Sequence, residues 1–387
     1  MVILHIANSY GGTAVYTNLY TAIDANMDVE QWIYVPLNSH NHERVGNMMI
    51  DFKNQKSKIV YSTILKSWHR YLYGMKIRTI VRDVERRFDL SRVDVIHAGS
   101  LCLDGAVAYE LSKRYNIPYI TAVRGTDKTY YRLRWRHSYF SRILKRASQI
   151  IFISPRFKEL FFNAYVKEKD RTEIERHTRV VPNGIGKVFL NNMNLQKREL
   201  RGNTLHLIYI AAFYRGKGLI ETILAIDALR KKGYNISLNA IGKGLPNRPF
   251  DKAYMDQVEA VCRDKKWVRL QPFMPSTELI CEMRQADAFI MVSSPETFGL
   301  VYVEALSQCL PVIYAKDEGF DGFYPDGFVG YAAKAGNVAS IARGIELLIN
   351  NYGTLANNVL SLNLKDRFDW NAIALHYINL YNSCIRK

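Results

Sequence analysis

Two consecutive doubly wound α/β domains are the fold this chain predicts, and three observations predict it. Short apolar runs bounded by turns alternate with longer helical patterns, and the alternation restarts near residue 205. The length of 387 residues suits two domains, each of roughly 150–200 residues and able to bury a core of its own. A composition of 48% hydrophobic and 23% charged residues excludes wholesale disorder and fibrous repeats.

In the first half, strands are expected at 2–7, 32–35, 93–97, 119–123 and 149–153, with helices at 14–23 and 101–115. Strands alternating with helices make parallel βαβ units, and right-handed crossovers then wind helices onto both faces of a sheet. In the second half, strands are expected at 205–211, 237–241, 268–270, 288–292 and 311–314, with helices at 218–232, 277–284 and 300–308. The boundary falls near Pro182-Asn183-Gly184, ahead of the polar stretch 191–203. The domains are therefore placed at 1–184 and 185–370.

The formal charge is +17, from 53 basic and 36 acidic residues. Of these, 29 basic and 17 acidic residues fall within 1–185, so about two-thirds of the excess lies in the first half. Such an excess favours phosphate-bearing partners. Two segments, 53–92 and 128–146, mix the basic residues with aromatics, among them Trp68, Tyr71, Tyr73, Trp135, Tyr139 and Phe140. They read either as a solvated basic face or as a surface for anionic lipid headgroups. The five cysteines are scattered without metal-like spacing, which points to a reducing cytoplasm. The apolar start 1–7 lacks a basic n-region and reads as a buried strand rather than a signal peptide.

The strongest chemical signal is Glu296-Thr297-Phe298-Gly299-Leu300-Val301-Tyr-Val-Glu304, after the apolar strand at 288–292 and opening a helix. At this spacing Glu296 sits in the loop at the strand's carboxyl end, and Glu304 lies about a turn into the helix. The free N–H groups near Gly299–Val301, with the helix dipole, make an anion site. Glu304 is placed to accept hydrogen bonds from a ribose diol.

This motif resembles that of the retaining glycosyltransferases of family 4, which have the GT-B fold, two Rossmann-like domains facing a cleft. The resemblance runs along nearly the whole chain. Gly11-Gly12 is similar to the family's glycine pair after the first strand, and Asp94-Val-Ile-His97 to its D-x-x-H strand end. Gly125-Thr-Asp127 resembles its G-x-D turn, and Pro182-Asn183-Gly184-Ile185 its interdomain turn. Lys217-Gly218, Gly242-Lys243-Gly244 and Phe368-Asp369-Trp370 resemble its K-G, G-x-G and F-x-W.

The resemblance implies an acceptor-binding first domain, a nucleotide-sugar-binding second domain and a C-terminal helix, 371–387, crossing back to the first. Glu304 would hold the ribose, Glu296 the sugar hydroxyls and Lys217 the diphosphate. Gly11 and Gly12 would approach the diphosphate, and Gly242, Gly244 and Met274 would contact the base. Three positions depart from the family pattern. Its arginine five residues before the lysine is Ala212, with Arg215 nearby but out of register. Its second histidine is Gly99, and the histidine of its H-G-x-D turn is Arg124. Arg124 reads equally as an ion-pair partner of Asp127 or a substrate contact, and His97 as a core histidine or a ligand to substrate.

The expected reaction moves a sugar from a UDP- or GDP-sugar to an acceptor hydroxyl with retention, without a metal or other cofactor. The charge placement suggests bacterial surface polysaccharide or lipid-linked glycan assembly, by a protein attached peripherally at the inner face of the cytoplasmic membrane. A nucleotide-sugar epimerase of the same fold and a nucleic-acid-binding protein are the rival readings. The second lacks any RNP, zinc-finger or helix-turn-helix signature, and nucleic acid is not expected as a partner.

Overall fold

A computed structural model of the chain describes residues 1–200, 202, 204–244 and 251–385. The chain divides into two compact units. Unit 1 comprises Met1–Ile153, Lys158–Gly184 and Trp370–Lys387, and unit 2 comprises Ser154–Phe157 and Ile185–Asp369.

Unit 1 carries seven strands: β1 (Val2–Ile6), β2 (Glu30–Asn38), β3 (Lys58–Leu65), β4 (Val95–Ala98), β5 (Tyr119–Val123), β6 (Gln149–Phe152) and β7 (Thr178–Val180). Their order is β3-β2-β1-β4-β5-β6-β7, with all neighbours parallel. The chain winds outward from β1 to β3 and returns to the other side at β4, so the sheet is doubly wound as expected. The inner strands β1, β4, β5 and β6 are buried at every position, as helices on both faces require. The sequence reading missed β3. It is an edge strand whose residues, apart from Ser62 and Leu65, are half-buried or exposed, and its apolar residues Ile59-Val60-Tyr61 and Ile64-Leu65 are split by Ser62-Thr63.

The helix Trp370–Ile385 belongs to unit 1, although Arg386 and Lys387, the end of the expected helix 371–387, lie outside the described residues. It packs along the helix Ala14–Asn26. Trp370, Ile373, Ala374, Tyr377 and Tyr381 enter the same core as Tyr16, Leu19, Tyr20 and Ile23. At its start the Trp370 indole lies on Gly184, where an added Cβ would stand 2.7 Å from the ring.

Unit 2 repeats the scheme with six strands: β8 (Thr204–Ile210), β9 (Asn235–Lys243), β10 (Val268–Pro272), β11 (Ala288–Met291), β12 (Val312–Ala315) and β13 (Gly330–Ala333). The order is β10-β9-β8-β11-β12-β13, again parallel throughout. No described helix is long and apolar enough to cross a membrane.

Trp370 is 4% exposed. Replacing it by alanine is expected to cost unit 1 about 3–5 kcal/mol, the range for large aromatic-to-alanine changes in a core. Urea unfolding followed by circular dichroism measures this, and a loss below about 1 kcal/mol would show that the helix is only loosely attached.

Candidate active site

A parallel sheet delivers every strand to the same edge, and ligands of such sheets bind where the winding reverses. In unit 2 that reversal lies between β8 and β11. The loops leaving these two strands meet: the Ser294 N–H donates to the Gly216 carbonyl at 2.8 Å. Gly216 and Gly218 have φ of +88° and +72°, and Cβ atoms there would stand 2.8 Å from the Ser294 oxygen and 2.4 Å from the Val292 oxygen. Glycine alone fits both the left-handed backbone and the approach.

This approach brings Lys217 to Glu296, 79 residues away. Nζ lies 2.8 Å from Oε2, and both side chains are 16% exposed. Ser293 donates its hydroxyl to Oε2 at 3.2 Å, and the Thr297 N–H donates to Oε1 at 3.1 Å. Glu318, in the segment after β12, accepts from the Glu296 N–H at 2.8 Å and from the Ser294 hydroxyl at 2.6 Å. The sequence reading passed over Ser293 and Glu318. Their signal was positional, since both follow a strand at the edge already marked by Glu296.

The helix Leu300–Ser307 starts at Gly299. Its first N–H groups, on Leu300 and Val301, have no intrahelical acceptor and carry the positive end of the dipole. The Tyr302 hydroxyl donates to the Met291 carbonyl, tying the helix to the end of β11. Phe298, expected as a binding residue, turns its ring inward against Phe323 at 5.4 Å, so only its backbone faces the edge. Glu304 is half-buried, and no described residue pairs with its carboxylate. Burial raises that carboxyl from 4.5 to about 7. Gly242 and Gly244 lie at and just beyond the end of β9, and half-buried Met274 follows β10. Arg215 is exposed and donates to Gln257 at 3.3 Å, while its neighbour Lys217 holds Glu296.

Unit 1 reverses between β1 and β4. Gly11 and Gly12 form a single turn after β1, and Gly12 is exposed. His97 does not join them. It is fully buried, with Nδ1 3.2 Å from His5 Nδ1 and 2.8 Å from the Tyr381 hydroxyl, and burial pushes its pKa well below the ordinary histidine range. Of its two readings, the core histidine is the one the geometry gives. Asp127 is likewise interior, accepting from the N–H groups of Leu101, Cys102 and Arg124 at 3.2, 2.8 and 2.8 Å. It shapes the loops and offers no open face, contrary to expectation.

Arg124 sends Nε to the Gly99 carbonyl at 3.3 Å and Nη1 to Asn183 Oδ1 at 3.5 Å. The expected Arg124–Asp127 contact runs through the Arg124 backbone rather than through an ion pair. The histidine missing at Gly99 also has a physical reason. A Cβ there would stand 2.8 Å from the Tyr16 ring, whose hydroxyl donates to the Gly99 carbonyl at 3.0 Å.

The site in unit 2 is thus a cation held by a carboxylate, a helix N-terminus and a second, unpaired carboxylate on one sheet edge. The arrangement can receive an anion and a polyol together. A family model for glycosyltransferase family 4 matches residues 11–186, and one for glycosyl transferases group 1 matches residues 192–365. The chain belongs to the family 4 glycosyltransferases of GT-B fold. It is 24% identical to the alpha-monoglucosyldiacylglycerol synthase of Acholeplasma laidlawii, over 66% of this chain and 67% of that protein. It is 24% identical to the D-inositol 3-phosphate glycosyltransferase of Paenarthrobacter aurescens, over 76% of this chain and 74% of that protein. The structure of Anabaena HepE in complex with UDP-glucose superposes with a TM-score of 0.63 at 17% identity, over 99% of this chain and all of that one.

A carboxyl raised above its ordinary value favours the fold least where the unfolded chain has already ionised. The penalty from Glu304 therefore builds as pH rises from about 4.5 to 7 and is constant above. Glu304→Gln is expected to raise the Tm of unit 2 more at pH 8 than at pH 5. The side chain is partly open to solvent, so the difference should be roughly 2–4 °C, what about 1 kcal/mol gives in a domain of this size. Equal shifts at both pH values in a calorimetric scan would contradict the raised carboxyl.

Proposed function

We propose that this glycosyltransferase moves a hexosyl group from a UDP- or GDP-sugar to an acceptor hydroxyl with retention of configuration. The observation that carries this reading is the Lys217–Glu296 pair beside the start of the helix Leu300–Ser307, with the unpaired Glu304 about a turn further on. On this reading the N–H groups near Gly299–Val301 and the Lys217 ammonium take the diphosphate. Glu296, released from Lys217, orients the sugar hydroxyls. Glu304 accepts from the ribose diol, and Gly242, Gly244 and Met274 border the base. Arg215, in the same loop as Lys217, would turn from Gln257 to reach a phosphate.

The acceptor belongs to unit 1 on this proposal, with Arg124 and Asn183 at the edge that serves it, while Gly11 and Gly12 approach the diphosphate and sugar. The bond from the anomeric carbon to the diphosphate oxygen breaks, and a bond to the acceptor oxygen forms on the same face. The acceptor proton passes to the leaving phosphate oxygen. Positioning and charge stabilisation then carry the catalysis, and neither a metal nor a covalent enzyme intermediate is invoked.

The proposed acceptor is a lipid-linked or surface glycan, and the proposed place of work is the cytoplasmic face of a bacterial membrane. Support comes from the basic excess of the first half, and from Trp68, Tyr71 and Trp135 being 40%, 68% and 73% exposed among it. Phe140, first grouped with them, is core. A relative named as a synthase of a glucosylated diacylglycerol fits the same picture.

Transfer from a panel of sugar nucleotides tests the reading. Lys217→Ala should lower turnover by about 10²–10³-fold, as loss of a group opposing developing negative charge does, while thermal unfolding stays that of a folded protein. Proton NMR of the first-formed product should show the donor's anomeric configuration. Wild-type turnover in the variant would remove Lys217 from the site, and an inverted product would refute retention.

A further inference from the structure

Beside the basic segments, unit 1 holds a cavity of about 510 Å³. Three elements wall it: the helix Tyr73–Arg87, the helix Ala106–Tyr115 and the stretch from the turn Arg134–Arg136 through the helix His137–Arg146. Its floor is Ile77 and Val81, both buried. Four guanidinium groups line it against one carboxylate, Glu110.

The charges do not cancel in place. Arg114 is paired with Glu85 at 2.6 Å. Glu110 is engaged by the Tyr139 hydroxyl at 3.2 Å and by Lys113 at 3.5 Å. Among the described residues, no carboxylate pairs with Arg78, Arg136 or Arg142. Arg136 lies 4.6 Å from the Tyr73 ring centroid and 4.7 Å from that of Trp135, and its buried Nε has no hydrogen-bond partner. Arg142 lies 5.6 Å from the Tyr139 ring centroid. Stacking holds these groups without using up their N–H donors, which suits a tetrahedral oxyanion.

Among the lining residues the Trp135 ring is 73% exposed. Leu72 and Met75, which flank the lining residues Tyr73 and Gly74 in sequence, are 48% and 47% exposed. A pocket that joins guanidinium groups without carboxylate partners to a large exposed aromatic ring matches a molecule that is anionic at its head and apolar beyond it.

We infer that this cavity is a binding site for the phosphate headgroup of an anionic membrane phospholipid, taken up by Arg78, Arg136 and Arg142 with Trp135 seated among the acyl chains. The inference rests on the membrane-facing reading given above. It adds a defined pocket and ligand chemistry where a diffuse charged face would need neither.

Co-sedimentation with phosphatidylglycerol and phosphatidylcholine vesicles tests it, using the full chain. Binding is expected only to phosphatidylglycerol. It should fall at least tenfold in R78Q/R136Q/R142Q but stay within twofold in K197Q/K231Q/K252Q, which removes the same charge from exposed positions of unit 2. The R78K/R136K/R142K variant keeps all the charge and the side-chain bulk. It too should lose several-fold, because ammonium groups lack the fork. Equal losses in the two glutamine variants, or full binding by the lysine variant, would mean charge attraction alone and overturn the pocket. Release from vesicles by millimolar inorganic phosphate would reassign it to a soluble ligand and overturn the lipid assignment.

Sugar-nucleotide turnover is read on the same preparations. Wild-type vesicle binding by R78Q/R136Q/R142Q would remove the pocket and leave the transfer reading intact. Absent transfer by wild-type protein, with the expected vesicle pattern, would do the reverse.

Discussion

The close approach of two loops in unit 2 is the constraint on which the candidate site depends. Gly216 and Gly218 let the segment after β8 run against the carbonyls of Val292 and Ser294. Without that approach, Lys217 would not reach Glu296. Glu296 is held in turn by Ser293, by the Thr297 N–H and, through its own N–H, by Glu318. A compact cation is therefore stored against a carboxylate beside a helix start, most of it already out of water. On the proposed reading, an arriving diphosphate would exchange one anionic partner of Lys217 for another, with the cation positioned before the substrate binds. Such preorganisation is where electrostatic catalysis gains most, since little rearrangement is left for the reaction itself.

The same economy of space explains features of unit 1. Its reversal point is filled from within: Tyr16 covers Gly99, and Tyr377 and Tyr381 from the last helix close over His97. Arg124 is the polar group left near this edge, bonded to Gly99 and Asn183. Buried Asp104 lies in the same interior, near Gly99. It accepts from the Asn8 N–H and the Ser100 hydroxyl, and burial lifts its carboxyl to about 7. His97, which read equally as a core histidine or a ligand to substrate, is enclosed in this core.

The fold was legible because parallel strands buried on both faces are short apolar runs, and unit 1's β1, β5 and β6 and unit 2's β8 and β11 are all of that kind. The strands that escaped notice carry a weaker signal. β3 is an edge strand whose apolar residues are split by Ser62-Thr63, while β7, Thr178-Arg179-Val180, and β13, Gly330-Tyr331-Ala332-Ala333, hold few large aliphatic residues. The expected helix at 101–115 begins with a wider turn at Leu101–Gly105, closed by the Gly105 N–H on the Ser100 carbonyl at 2.7 Å, before the α-helix Ala106–Tyr115, and Asp127 accepts from the first N–H groups, those of Leu101 and Cys102. Within the site, Glu296, Gly299 and Glu304 could be read from their spacing behind a strand. The pairing of Lys217 with Glu296, the inward turn of Phe298 and the cover of Tyr16 over Gly99 could not. Each joins residues through the tertiary fold or depends on which way one side chain packs.

Hydrogen exchange with and without saturating UDP or GDP would test the central claim most directly, that the edge of unit 2 built by Lys217, Glu296 and Glu304 receives the nucleotide. The account predicts slowed exchange at the backbone amides of Gly216–Leu219 and Thr297–Val301. It predicts no change around a separate cavity of unit 2, of about 270 Å³ and lined by His206, Asn239 and Trp267. Slowed exchange at that cavity instead, or no change anywhere with either nucleotide, would contradict it.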